Sequence, residues 1–155
     1  MRLENKVSIV TGGASGMGAA EAALFASEGS NVVVADMRIE DGIEVVDEII
    51  SSGGTAIFME LDVTDEERWE VVVAEVLNQF GTIDVLVNNA GISGSYQPDL
   101  MSLEAYDRLM NVNSRGVFLG MRSVLPAMCK NESGSIVNIS SISGIVGQSY
   151  VHMGY

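Results

Sequence analysis

The sequence has little with which to hold a metal cluster, a nucleic acid or a bilayer. Cys129 is the only cysteine among 155 residues, which excludes an internal disulfide and a cysteine-based metal cluster. Its expected place is a small buried position in the core. Only 8 Lys and Arg stand against 21 Asp and Glu, for a formal net charge of -13. Such a chain repels a phosphate backbone and anionic lipid alike, so neither nucleic acid nor membrane is expected as a partner. Apolar residues come in short runs broken by charge or glycine, well below the roughly 18 uninterrupted positions of a membrane span. The opening Met1-Arg2-Leu3-Glu4-Asn5-Lys6 has no leader-like apolar stretch, and a cytoplasmic location is the expectation. No Lys-Ser or Lys-Thr pair follows the glycine-rich turn near the start, which disfavours a nucleotide triphosphatase of the P-loop kind.

What is present is 47% hydrophobic residues and 19% charged ones, the balance of a single globular domain. Strands are expected at Val7 to Thr11, Asn31 to Asp36, Thr55 to Leu61, Val85 to Asn88 and Ser135 to Ser140. Val32-Val33-Val34 and Val85-Leu86-Val87 are unbroken apolar runs, as strands covered on both faces require. Helices are expected from Gly16 to Glu28, Ile39 to Ser52, Asp65 to Phe80, and along one long segment from Ser102 towards Lys130. In the third, Thr64 and Glu67 have the spacing of a capping box, Trp69, Val72, Val73, Val76 and Phe80 share one face, and Gly81 supplies the stop. Met110, Met121 and Met128 of the long segment are expected to pack into the core. Strand and helix alternating through short connections predict an α/β fold with a doubly wound parallel sheet, three layers deep, whose ligands sit beyond the carboxyl ends of the strands.

The turn Thr11-Gly12-Gly13-Ala14-Ser15-Gly16-Met17-Gly18 lies at the first such end, directly between a strand and a helix. Gly12 suits the tight bend, Gly16 a close backbone approach to a pyrophosphate, and Gly18 the packing of helix on strand. The helix that follows turns its unpaired N–H groups and positive dipole end towards the anion. Asp36 ends the second strand 24 positions after Gly12, where a dinucleotide fold places the acid that binds the adenosine ribose hydroxyls. A 2′-phosphate about 4 Å from that carboxylate meets repulsion of roughly 4 kcal/mol per charge at an effective dielectric near 20, which favours NAD over NADP. Arg38, two positions on, offsets part of it.

These motifs, in this order, resemble the short-chain dehydrogenases/reductases along the whole chain, and the resemblance implies a Rossmann-like NAD-binding domain over residues 1–155. Thr11 to Gly18 is similar to the family's phosphate loop, with Gly12, Ser15, Gly16, Met17 and Gly18 as contacts. Asp62-Val63 resembles its adenine-contacting pair. Asn88-Asn89-Ala90-Gly91 resembles the motif that supports the central sheet beside the cofactor, with Asn89, Ala90 and Gly91 at the cofactor. Within Asn111-Val112-Asn113, Asn113 matches the catalytic asparagine that breaks a helix and holds a water in the proton relay; Asn111 is the competing assignment. Ser141, the second serine of the pair after Ile136 to Ile139, matches the catalytic serine, and Tyr155 the catalytic tyrosine, which also borders the cofactor. No residue is expected to hold a metal.

The resemblance further implies a lysine four positions after Tyr155 that lowers the tyrosine's pKa, together with later strands and a substrate-covering loop. The chain is accordingly expected to be a C-terminally incomplete record of a longer enzyme. His152 reads as a residue of one loop bordering the substrate pocket, with Ile92 to Leu100 forming the opposite border. The reaction implied is hydride transfer between NAD(H) and a secondary alcohol or ketone, a hydrophobic cyclic alcohol being the substrate expectation and a homotetramer the expected assembly. The alternatives are a dinucleotide-binding module without catalysis, including an inactive fragment, and a non-redox isomerase or dehydratase on the same scaffold.

Overall fold

The computed structural model describes residues 1–93, 99 and 101–147. Five strands form one parallel sheet: β1 (Val7–Thr11), β2 (Asn31–Asp36), β3 (Thr55–Glu60), β4 (Val85–Asn88) and β5 (Ser135–Asn138), in the spatial order β3-β2-β1-β4-β5. The chain thus runs outward from the middle to one edge, then returns and builds to the other side, and the order reverses between β1 and β4. The register is continuous across that reversal, with Ile9 beside Val33 on one flank and beside Leu86 on the other.

The strands are covered on both faces because alternate residues enter two separate cores. Val7, Ile9, Val33 and Leu86 pack with Trp69, Val72 and Val76 of α3 (Glu66–Phe80) and with Leu119, Val124 and Met128 of a later helix. Val10, Val32, Val34 and Val87 pack with Ala22 and Ala26 of α1 (Gly16–Ser27) and with Val46 and Ile49 of α2 (Ile39–Ser51). The result is a three-layer, doubly wound Rossmann-like α/β domain. Even the buried polar side chains of β1 serve the sheet: the hydroxyls of Ser8 and Ser30 lie 2.7 Å apart, beneath the first crossover.

Several sequence expectations are corrected at the element ends. β3 stops at Glu60 rather than Leu61, and β5 at Asn138 rather than Ser140. The capping box is not formed: α3 starts one residue later than expected and Asp65 is its N-cap, its carboxylate accepting from the Arg68 N–H at 3.0 Å. Thr64 falls one position before that cap, and its hydroxyl donates instead to Asp62 Oδ1 at 2.8 Å. The predicted apolar face of α3 is in place, with Trp69, Val72 and Val76 buried, Val73 and Phe80 packed against them, and Gly81 closing the helix in the left-handed conformation.

The long segment is not one helix. It comprises α4 (Leu103–Met110), a π-helical stretch (Asn111–Gly116) and α5 (Val117–Lys130). α5 turns Leu119, Gly120, Val124 and Met128 inward. Cys129, one position beyond Met128, therefore points off that face and is exposed, not buried as expected. Met110 is likewise exposed and Met121 only half-buried; of the three methionines only Met128 joins the core. Among the described residues, no helix is long and apolar enough to cross a membrane.

Candidate functional site

The carboxyl ends of β1 to β4 converge on a cleft of about 740 Å³ at the point where the strand order reverses. From β1 come Gly12, Ser15 and Met17; from β2, Asp36, Met37 and Arg38; from β3, Leu61 to Thr64. Asn89 to Ile92 follow β4, and Arg108, Asn111 and Val112 close the cleft from the end of α4 and the start of the π-helix. A crevice at a switch point, outside the strand termini, is where a doubly wound sheet binds its ligand.

The two halves of the sheet are locked together at this point by Thr11. Its hydroxyl donates to the Val87 carbonyl at 3.2 Å and accepts from the N–H groups of Asn89 and Ala90 at 3.1 and 3.0 Å. The Asn89 amide returns the connection, donating to the Thr11 carbonyl at 2.9 Å and the Gly12 carbonyl at 3.3 Å. The floor of the cleft is thus hydrogen-bonded from β1 to β4 through two side chains, Thr11 and Asn89. Asn88, below it, donates to Asn138 Oδ1 at 2.9 Å and ties β4 to β5 in the same way.

The phosphate-loop geometry suits an anion. Gly12 and Gly16 adopt φ of +65° and +56°, a backbone that L side chains rarely take. Ser15, at the N-cap of α1, is extended and makes no side-chain capping bond. The first turn of α1 also lacks any acidic residue, whereas α2 begins with Glu40 and Asp41, α3 with Glu66 and Glu67, and α4 with Glu104. In a chain of net charge -13, α1 thus carries no carboxylate of its own at its N-terminal N–H groups and positive dipole end. A pyrophosphate fits that end.

Asp36 is held at the far side of the loop. Its Oδ2 accepts from the Ala14 N–H and its Oδ1 from the Arg38 N–H, each at 3.0 Å, so the carboxylate is fixed by the loop and by the start of α2. Its side chain is only 11% exposed. Asp62 and Val63 also line the cleft, Asp62 accepting from the Thr64 N–H and hydroxyl. Gly16 and Gly18 lie in the loop without lining the cleft. Apart from Gly16, Gly18 and Tyr155, the residues read from sequence as dinucleotide contacts line this cleft, at the ends of four neighbouring strands.

Asn113 sits inside the π-helical stretch and not on the cleft wall. Its carboxamide pairs in both directions with Ile92, accepting from the N–H and donating to the carbonyl, each at 2.8 Å. A Cβ on Gly91 would stand 3.3 Å from Asn113 Oδ1, so this glycine allows the close approach of the segment after β4. π-Helical turns inside α-helices recur at functional sites because they re-aim a short run of residues. Asn111, the competing assignment, does line the cleft.

Ser141 stands three residues beyond β5 as the N-cap of a single 3₁₀ turn, Ile142–Gly144, and its hydroxyl accepts from the Ser143 N–H at 3.1 Å. Ser140, the neighbouring serine, is exposed. Tyr155 and His152 lie outside the described residues, as do positions 94–98 and 100 of the Ile92 to Leu100 border. Sequence reasoning overlooked Thr11, whose hydroxyl organises the cleft floor, and Arg108. The signal for Arg108 was its position three and four residues before Asn111 and Val112, on the same helical face.

A family model described as short chain dehydrogenase matches residues 6–153. The chain belongs to the short-chain dehydrogenase/reductase family. It is 46% identical over 146 residues to a cyclopentanol dehydrogenase of Comamonas, covering 94% of this chain and 58% of that protein. A 2,5-dichloro-2,5-cyclohexadiene-1,4-diol dehydrogenase of Sphingobium indicum is 42% identical over 146 residues, covering 93% of this chain and again 58% of the relative. The chain thus spans a little under three fifths of these curated relatives. Among solved structures, a metagenomic short-chain oxidoreductase in complex with NADP superposes with a TM-score of 0.91 at 33% identity, covering 98% of this chain and 69% of that one.

Proposed function

We propose that the protein is an oxidoreductase that interconverts a secondary alcohol and a ketone with NAD(H), and that its substrate is a cyclic alcohol. The observation that carries the reading is the clamped Asp36 carboxylate at the edge of a switch-point cleft, facing the bare start of α1. The first attracts ribose hydroxyls and repels a 2′-phosphate; the second takes a pyrophosphate. The two relatives named above are both dehydrogenases of ring alcohols, which supports the substrate class.

In this reading Gly12, Ser15, Gly16, Met17 and Gly18 receive the pyrophosphate, Asp36 the adenosine ribose, Asp62 and Val63 the adenine, and Asn89, Ala90 and Gly91 the nicotinamide half. Bound nicotinamide supplies the carbon that accepts or donates hydride. Ser141 and Tyr155 hold the substrate oxygen through their hydroxyls, and the Tyr155 hydroxyl gives or takes the proton. A free tyrosine titrates near pH 10, so an efficient base at neutral pH needs its pKa lowered by about three units, roughly 4 kcal/mol, through a neighbouring positive charge. Asn113, whose carboxamide pairs with Ile92, holds a water of that proton relay.

The test uses the protein at its full encoded length, with NAD and NADP offered separately against a panel of cyclic and aliphatic secondary alcohols. Turnover with NAD on ring alcohols is expected, and Tyr155→Phe is expected to reduce it by about 10²- to 10⁴-fold, the range of general acid–base catalysis, with NADH still bound. Absence of turnover with either dinucleotide across the panel overturns the proposal. Indifference of the rate to Tyr155→Phe favours the non-catalytic binding module instead.

A further inference from the structure

We propose that Asp41, outside the cleft, sets the choice between NAD and NADP by holding Arg38; this rests on the dinucleotide reading above. Arg38 is the N-cap residue of α2, and its guanidinium reaches back over the adenosine end of the cleft. Each of its nitrogens has a different partner. Nε lies 3.6 Å from Asp36 Oδ1, Nη1 2.9 Å from Asp41 Oδ2, and Nη2 donates to the Ser15 hydroxyl of the phosphate loop. The guanidinium is therefore held on three sides, by the Asp36 carboxylate at the end of β2, the Asp41 carboxylate on the first turn of α2 and the Ser15 hydroxyl at the start of α1.

The charges of this cluster decide what it can accept. Asp36 and Asp41 together outweigh Arg38 by one negative charge, so an incoming 2′-phosphate meets a net acidic group rather than a free arginine. A guanidinium is well suited to a phosphate because its planar fork offers paired N–H donors. Here that fork is engaged on its Nη1 side by Asp41. Without Asp41, Nη1 is released, the cluster becomes neutral, and Arg38 stands with a free donor beside the ribose. The sequence signals only Asp36 and Arg38 at this place; Asp41 enters because the first turn of α2 brings residue 41 back over residue 38, three positions on.

The pair is half exposed, at 49% for Arg38 and 51% for Asp41, so its leverage is modest. The experiment measures NADH and NADPH dissociation constants by fluorescence titration on the full-length protein and on Asp41→Ala, Asp41→Glu, Arg38→Ala and the Arg38→Ala/Asp41→Ala double variant. Asp41→Ala is expected to move the NADPH-to-NADH affinity ratio about three- to fivefold towards NADPH. Asp41→Glu, which keeps the ion pair, is expected to stay close to the parent. In the Arg38→Ala background the Asp41→Ala shift is expected to vanish, because Asp41 acts through the arginine.

The outcomes separate cleanly. If the parent binds neither dinucleotide, the functional reading fails and this inference with it. If NADH binds and Asp41→Ala leaves the ratio unchanged, the inference is overturned while the reading stands. An equal shift with and without Arg38 also overturns it, because Asp41 would then act as a bare charge rather than as a positioning residue.

Discussion

Gly18→Ala is expected to abolish measurable dinucleotide binding while Gly16→Ala only weakens it, although the two glycines lie two residues apart. A Cβ on Gly18 would stand 2.2 Å from the Gly12 carbonyl oxygen and 2.6 Å from Asn89 Nδ2. The first is a backbone atom that no side-chain swing can move, and moving the second breaks its hydrogen bonds. The Gly12 carbonyl belongs to the phosphate loop itself, and Asn89 Nδ2 is the atom that joins Thr11 and Gly12 across the reversal of strand order. α1 must lift away from β1, carrying its N-terminal N–H groups off the anion position. Displacements of about 1 Å in a binding constellation cost roughly 10²-fold in function, and overpacking of this kind costs about 1–3 kcal/mol in stability. Gly16 is different: an added Cβ meets no protein atom within 4 Å, so the fold bears only the strain of a φ of +56°, and binding loses what the methyl group takes from the pyrophosphate's approach. Fluorescence titration with NADH, alongside denaturant unfolding, checks both. Tight NADH binding by Gly18→Ala would refute the role given to this contact.

The second large effect is expected in the core. Trp69 is fully buried, at 0% exposure, and its indole N–H donates to the Val63 carbonyl at 3.1 Å. Gly120 of α5 lies against the same ring, where a Cβ would sit 3.0 Å from the indole and 2.4 Å from Asn88 Oδ1. One side chain thus supports α3, the seat of α5 and the segment after β3 that lines the cleft. Trp69→Ala is expected to lose about 3–5 kcal/mol of stability, a large share of the roughly 5–15 kcal/mol of a typical domain. Trp69→Phe keeps most of the ring volume but leaves the Val63 carbonyl without its donor, and is expected to lose about 1–3 kcal/mol. Urea unfolding of the two variants beside the parent measures the difference. Equal losses would mean that the hydrogen bond, not the filled volume, dominates.

The layered sheet could be read from the sequence because each of its parts is signalled locally. Glycines at 12, 29, 53 and 81 punctuate the chain in left-handed conformations, and the runs between them alternate between unbroken apolar stretches and 3.6-residue periodicity. The cleft was legible for a related reason: in a doubly wound sheet every strand end faces one crevice, so Gly12, Asp36, Asp62 and Asn89 are brought together by topology alone. What escaped reading depends on partners distant in sequence. The Thr64 to Glu67 spacing imitates a capping box, but the chain caps the helix one residue on with Asp65, and Thr64 donates its hydroxyl to Asp62. The interruption after Met110 was signalled only by the family resemblance, which placed a helix-breaking asparagine at Asn113; no proline or periodicity change announces it, and it is accompanied by the pairing of Asn113 with Ile92, 21 residues away. Cys129 and Met110 were misplaced because composition reports how much is buried and not which side of a helix faces in.

That interruption has a consequence for the evolution and engineering of the domain. An α-helix advances about 100° per residue. The end of α4 aims Arg108 at the crevice, whereas α5 aims Leu119, Val124 and Met128 at the sheet. The wide turns at Asn111–Gly116 supply the phase offset between these two targets. Deleting a single residue there would straighten the rod into one uninterrupted screw and rotate everything after it by roughly a quarter turn. Phe118 and Leu125, now at the surface, would trade azimuth with the residues that presently seal the interior. Length in this six-residue window is therefore under tighter constraint than composition, and insertions or deletions should be far less tolerated there than substitutions.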